Sequence, residues 1–287
     1  MATIRVTSDG DPYPAKAGNP LRNDGNARSF DDGSVISDQT HDFTIRYRAG
    51  SNTSDPETIY KDDPFGITTN GVLIYAPGSS SDTLPISSVG APVGFTWNTI
   101  ENISEYQYDA CHGKPEASGE YRYRSGLFYK HGMVDNTEFG ESTTYYSEEA
   151  YGTDKMRHET SGHSKIIGFA FDGYPIYGPY GYQSPTDSAS TVIQMRSSYS
   201  TKSIEASGRI FSYQDRSAGS FIEDYVYVPN TGTLDEHNGR YCVTPDYTSG
   251  TYAYFITFSD TNFENPEYPY IIGPSTREQR SVTNNNG

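Results

Sequence analysis

The sequence is poor in the residues that staple a chain or thread it through a membrane. Cysteine occurs only at 111 and 242 of 287 positions, without Cys-x-x-Cys spacing, which excludes a disulfide scaffold and a zinc knuckle. At most one bridge can form. No run of about 18 apolar residues occurs, so no helix is expected to span a bilayer. Basic residues are scarce: 21 Lys and Arg against 37 Asp and Glu give a formal net charge of -16. That field repels nucleic-acid phosphates and anionic membranes, and neither is an expected partner. The start, Met1-Ala2-Thr3-Ile4-Arg5-Val6, lacks the basic and apolar regions of a secretory signal, so none is expected.

What the sequence has in abundance is tyrosine, with 26 Tyr against one Trp. Tyrosine buries a large ring while keeping a polar tip, and aromatic residues favour pleated strands. The composition predicts a mainly β fold, β-sandwich-like or irregular β-rich, with few short helices. Strand periodicity supports this. Phe43, Ile45 and Tyr47 alternate with polar residues, Val72 to Tyr75 lies between Asn70-Gly71 and Pro77-Gly78, and Tyr121 and Tyr123 alternate with Arg122 and Arg124. The longest β-like runs, Ile166 to Phe171, Phe221 to Val228 and Tyr252 to Phe258, are expected to be central strands. Short helices are expected within Ser147 to His158 and Ser188 to Ser197.

Turn formers with little apolar material between them dominate residues 1–39, which predicts an extended N-terminal arm that packs on the rest or reaches a partner. Residues 40–94 read as a small β region, separate or part of the main domain, which spans 95–274. Residues 275–287 hold one apolar side chain, Val282, and end in Asn-Asn-Asn-Gly, which predicts a flexible tail.

One pattern is used twice. Asp109-Ala110-Cys111-His112-Gly113-Lys114 leads through Pro115 to Ser118-Gly119-Glu120-Tyr121-Arg122-Tyr123. Asp235-Glu236-His237-Asn238-Gly239-Arg240 leads through Pro245 to Ser249-Gly250-Thr251-Tyr252-Ala253-Tyr254. Each copy reads as an Asp-initiated turn, a Gly-basic pair, a Pro, a Ser-Gly turn and a strand with Tyr on one face. Two related hairpin-like elements sharing one core are expected.

From about Phe95 to Pro274 the sequence resembles the YHYH-domain family. The resemblance rests on Cys111-His112-Gly113, on Gly119-Glu120-Tyr121-Arg122-Tyr123-Arg124, and above all on Gly162 to Pro179 with its Asp172-Gly173-Tyr174-Pro175-Ile176-Tyr177-Gly178-Pro179. It continues through Leu234-Asp235-Glu236, Gly250 to Tyr254 and Tyr268 to Pro274. Members without a signal peptide resemble virion proteins of marine tailed bacteriophages, particularly those of cyanobacteria. The resemblance therefore implies a structural, non-catalytic virion component of the tail, baseplate or fibre apparatus, assembled in the host cytoplasm and released by lysis. Its partners would be other virion proteins and copies of itself. Where the family name spells Tyr-His-Tyr-His, this chain has Tyr121-Arg122-Tyr123-Arg124, and the second copy has Tyr252-Ala253-Tyr254-Phe255. Arginine is neither a ligand nor a base at neutral pH, so if the histidines of other members bind metal or move protons, this chain does not do it the same way.

The alternative is a metal-binding or polysaccharide-binding or hydrolysing domain acting at the host surface. If the two copies face each other, Asp109, Cys111 and His112 with Asp235 and His237 offer oxygen, sulfur and nitrogen donors suited to a zinc-like ion, and His163 could join them. The competing reading is structural: each Asp caps its turn, and Cys111 is a small buried hydrophobe. The acidic stretch with Asp135, Glu138, Glu141, Glu148, Glu149, Asp154 and Glu159 has no EF-hand spacing. Tyr174 and Tyr177 are candidates for stacking on a host glycan, with core packing as the competing reading. No nucleophile elbow or phosphate-cradling loop is present, and neither an enzyme nor a bound cofactor is expected, a divalent metal being the exception to test.

Overall fold

The computed structural model describes residues 2–10, 12, 35–48, 50–59, 63–79, 90–91, 94–106, 108–109, 111–126, 128, 162–204, 206–207, 216–261 and 263–286. In chain order the first strands are β1 (Thr3–Ser8), β2 (His41–Arg46), β3 (Glu57–Thr58), β4 (Pro64–Thr68) and β5 (Leu73–Tyr75). A four-residue helix α1 (Ile103–Tyr106), β6 (Gly113–Pro115) and β7 (Tyr121–Tyr123) follow. Next come β8 (Ile166–Ala170), β9 (Pro175–Tyr177), β10 (Tyr180–Tyr182), β11 (Val192–Gln194), β12 (Tyr199–Thr201) and β13 (Tyr225–Tyr227). The last are β14 (Gly239–Cys242), β15 (Thr251–Phe255), β16 (Ser275–Thr276) and β17 (Val282–Asn284). The fold is mainly β, as the composition predicts.

Eight strands form one sheet in the order β14-β15-β9-β8-β4-β5-β7-β6. Its two halves match about the central pair β4 and β8. β5 runs antiparallel to β4 as β9 does to β8, β7 runs parallel to β5 as β15 does to β9, and β6 and β14 close the two edges antiparallel. The registers agree as well. Ile74 faces Tyr123 where Ile176 faces Tyr254, and a bulge follows Pro64 in β4 where one follows Ile166 in β8.

A repeated sequence pattern explains the match: Gly66-x-x-x-Asn70-Gly71-x-x-Ile74-Tyr75-Ala76-Pro77 recurs as Gly168-x-x-x-Asp172-Gly173-x-x-Ile176-Tyr177-Gly178-Pro179. Gly71 and Gly173 take φ of 85° and 99°, which only glycine adopts readily, and each N–H closes the turn onto Thr68 or Ala170 at 2.9 Å. Gly66 and Gly168 let β4 and β8 approach. A Cβ at Gly66 would lie 2.9 Å from the Phe169 carbonyl oxygen, and one at Gly168 2.7 Å from that of Ile67.

Both faces of this sheet are covered. A three-stranded sheet, β1-β2-β17, packs Ile4, Val6, Phe43, Ile45 and Val282 on Ile67, Leu73, Tyr75, Phe169 and Phe171. Leu73 and Tyr75 point to that layer, and Ile74 between them points to the main core with Tyr121, Tyr123, Ile176, Tyr252 and Tyr254. Burying each such aliphatic or aromatic side chain contributes about 1.5–3 kcal/mol.

Several sequence expectations are corrected. The start of the presumed arm is strand β1, paired with β2 from Thr3↔Arg46 to Ser8↔His41, and Ile36 is buried in the main core. Residues 13–34 of that arm lie outside the described residues. The presumed tail is held too: Ser275–Thr276 pairs with β3, and Val282–Asn284 pairs with β2. Polar side chains lowered its apolar content, but ladder bonds come from the backbone. Ser188 to Ser197 is not helical; Asp187 closes a turn and the β-branched Val192-Ile193 pair joins β11, opposite β10. Phe221 to Val228 is not a central strand but a 3-10 turn, Ile222–Asp224, followed by β13, which pairs with β12 in a separate two-stranded sheet. The expected helix in Ser147 to His158 and the acidic stretch from Asp135 to Glu159 lie outside the described residues.

Candidate functional site

The repeated Asp turns are built alike. Asp109 Oδ1 accepts the N–H groups of Cys111 at 2.8 Å and Gly113 at 3.0 Å, and its Oδ2 accepts the Tyr121 hydroxyl at 2.5 Å. Asp235 Oδ1 accepts His237 N–H at 2.9 Å and Gly239 N–H at 3.1 Å, and the Tyr252 hydroxyl donates to the same carboxylate at 2.8 Å. His112 and Asn238, at the same place in each turn, both have left-handed φ, 54° and 62°. The aspartates thus organise turns, as their position before two short-spaced donors suggests. Burial pushes the Asp109 acid up to about 6 against the opposing pull of Tyr121 and the two N–H groups. Asp235 is raised for the same reason.

The six proposed metal donors do not converge. Asp109, Cys111 and His112 belong to the turn before β6 at one edge of the sheet, and Asp235 and His237 to the turn before β14 at the opposite edge. His112 Nδ1 lies 2.9 Å from Ser125 Oγ, and His237 Nδ1 lies 2.9 Å from Ser275 Oγ. His163 is fully buried ahead of β8, boxed by Tyr177, Tyr182 and Phe255, with Nδ1 2.7 Å from the Ser164 carbonyl oxygen. Among the described residues no three His, Cys, Asp or Glu side chains are grouped as a metal requires. Two copies facing each other was the premise that failed: the pseudo-symmetry sends them to opposite edges. Both cysteines are buried, one at each edge.

The glycan platform is corrected as well. Tyr174 and Tyr177 are each 0% exposed, and neither offers a face to a sugar. The Tyr177 hydroxyl donates to Asp246 Oδ2 at 2.8 Å, while the Tyr174 ring packs 5.2 Å from that of Tyr252.

In the two signature strands the tyrosines point into the main core and the alternate residues point to the opposite face of the sheet, which is itself covered in the second half. Tyr121 and Tyr123 meet edge to face at 5.4 Å, and Tyr252 and Tyr254 at 5.2 Å. Arg122 stacks 4.0 Å over the Tyr75 ring and bonds Glu120 at 2.8 Å. Arg124, nearly buried, donates to the Ala76 carbonyl at 2.7 Å. In the other half Ala253 is buried and Phe255 stacks on Tyr177 at 5.6 Å.

A sequence profile of the family described as YHYH protein matches residues 43–266. The chain belongs to that family. The matched span starts well before Phe95 and takes in both halves of the eight-stranded sheet, so the YHYH unit includes β4 and β5, which the sequence left open as a small β region either separate or part of the main domain. No curated protein and no solved structure matches the chain.

Two cavities lie away from every site residue that the sequence suggested. One, of about 310 Å³, is mostly apolar, with Ile59, Phe65, Pro77, Ile222, Tyr268 and Ile272 in its wall. The other, of about 270 Å³, is polar and gathers Glu101, Asn102, Glu105 and Arg216. No spacing in the sequence links residues 101–105 to 216–220; only folding places them together.

Proposed function

We propose that this YHYH-family chain is a non-catalytic structural component of a tailed-bacteriophage virion, in the tail, baseplate or fibre apparatus. The observation that carries the non-catalytic part is the use made of the four family histidine positions. Arg122 is spent on Tyr75 and Glu120, Arg124 on the carbonyl of Ala76, and Ala253 and Phe255 on packing. None is a ligand or a base at neutral pH. The virion assignment is supported by the resemblance of the sequence to family members that are similar to phage particle proteins.

Partners are other virion proteins and further copies of the chain. β1 and β17 are the outer strands of the small sheet, and such edges are where a neighbouring strand adds by backbone bonds. Mass spectrometry of purified particles tests the proposal: the chain is expected at high copy number per particle. A chain absent from particles, or a purified monomer that turns over a polysaccharide, overturns it.

A further inference from the structure

We propose that the polar cavity between Glu101 and the 216–220 loop binds an uncharged polyhydroxyl ligand, such as one sugar unit of a surface polysaccharide. The inference stands on the cavity alone and does not rest on the virion assignment.

Both walls are fixed from behind. The fully buried Asp224 carboxylate accepts the N–H groups of Gly219 at 2.9 Å and Phe221 at 3.1 Å, which sets the loop. Asn102 Nδ2 donates to the carbonyls of Asn98 at 2.8 Å and Ser220 at 2.9 Å, tying one wall to the other. A site held this way needs little reorganisation to bind.

Glu101 is held in turn. The Tyr270 hydroxyl donates to its Oε1 at 3.2 Å, and Asn98 Nδ2 donates to the Tyr270 oxygen at 2.7 Å. Tyr270 adopts φ 75°, a conformation that a bulky residue keeps only when its surroundings impose it. Gly219, at φ 101°, leaves room for this arrangement, since a Cβ there would lie 2.7 Å from the Tyr225 hydroxyl and 3.6 Å from Glu101 Cγ. Across the cavity, the Arg216 guanidinium lies 5.5 Å over the Trp97 ring, which orients it.

The lining selects the ligand. Glu101 and Glu105 accept hydroxyl protons, Arg216 donates, and Ser104 and Ser217 do either, which suits neighbouring hydroxyls that each donate and accept. The scarcity of apolar wall disfavours lipids and aromatic ligands. Two carboxylates in a molecule of net charge -16 disfavour phosphates and acidic sugars, while the Arg216 guanidinium already supplies a positive charge within the cavity.

The test is saturation-transfer NMR and calorimetry of the full chain with glucose, galactose, mannose and N-acetylglucosamine, with sialic acid and choline as charged arms. At least one neutral sugar is expected to saturate in the millimolar range, with affinity falling tenfold or more in Glu101→Gln and in Arg216→Ala. Ser104→Leu, an exposed rim change that leaves the walls intact, is expected to abolish binding without moving the thermal midpoint. Failure of all four neutral sugars to saturate overturns the proposal. So does unchanged affinity in a folded Ser104→Leu protein, or binding of only the charged ligands.

Discussion

Asn70 and Asp172 occupy the same corner of the two sheet halves, and each meets the hydroxyl of the second tyrosine in its own signature strand. Asn70 Nδ2 donates to the Tyr123 oxygen at 3.2 Å, while Asp172 Oδ2 accepts the Tyr254 hydroxyl at 2.6 Å. The neutral amide and the ionisable acid thus solve one geometric problem in two ways. The acid has the harder task, because Asp172 is fully buried.

Burial raises the Asp172 acid from 3.8 to about 6, against the opposing pull of Tyr254 and the N–H groups of Tyr174 and Glu278. The folded state therefore holds this proton more tightly than the unfolded chain. Stability should fall as pH rises from about 4 to about 6 and level off above, with a total on the order of 3 kcal/mol for this group. Urea unfolding between pH 4 and 7.5 is expected to show the falling limb and then the plateau. Asp172→Asn should reduce its slope, leaving the parts due to Asp109 and Asp235, whose acids burial also raises. An unchanged slope would refute the assignment.

Asp109→Ala leaves the N–H groups of Cys111 and Gly113 and the Tyr121 hydroxyl without their acceptor. A cost of about 2–4 kcal/mol is expected in chemical denaturation, with Asp109→Asn milder because one oxygen remains and no charge is buried. Asp235→Ala should behave alike, since its turn has the same bonds.

A Cβ at Gly173 would overlap the Arg46 carbonyl oxygen at the end of β2, in addition to the strain of φ 99°. At Gly71 the overlap is with the Ser8 side chain, which can turn away. Gly173→Ala is expected to lower the thermal midpoint more than Gly71→Ala, and the difference should shrink once β2 is prevented from docking by Ile45→Asp.

Cys111 and Cys242 are both 0% exposed, and burial pushes the Cys242 thiol up. Native protein should react negligibly with a thiol reagent and show no disulfide by intact mass, whereas protein in guanidinium should titrate two thiols.

The twofold use of Asp109 to Tyr123 and Asp235 to Tyr254 was legible because turn chemistry is local: an aspartate two and four residues before its donors, then a glycine. The earlier half of each repeat, Gly66 to Pro77 and Gly168 to Pro179, was less visible. Its shared residues are sparse, and Asn70 stands where Asp172 does. A search for Asn/Asp-Gly followed by Ile-Tyr-x-Pro would have found it. Strand β17 was missed because Asn and Thr carry no apolar signal, although their backbones pair as well as any. The metal and glycan candidates failed for a different reason. Residue type shows what a side chain can do, but not whether its ring is covered, as with Tyr177, or which edge of the sheet it occupies, as with His237.

By itself, then, the sequence determined the β class, the Asp-capped turns and the inward tyrosines, because each depends on alternation or on neighbours within a few residues. Tertiary structure alone decided that the two turns lie at opposite sheet edges and that Glu101 and Arg216 line one cavity. Those relations arise from strand pairing across more than a hundred residues, where the same local pattern is compatible with many partners and only the shared core selects one.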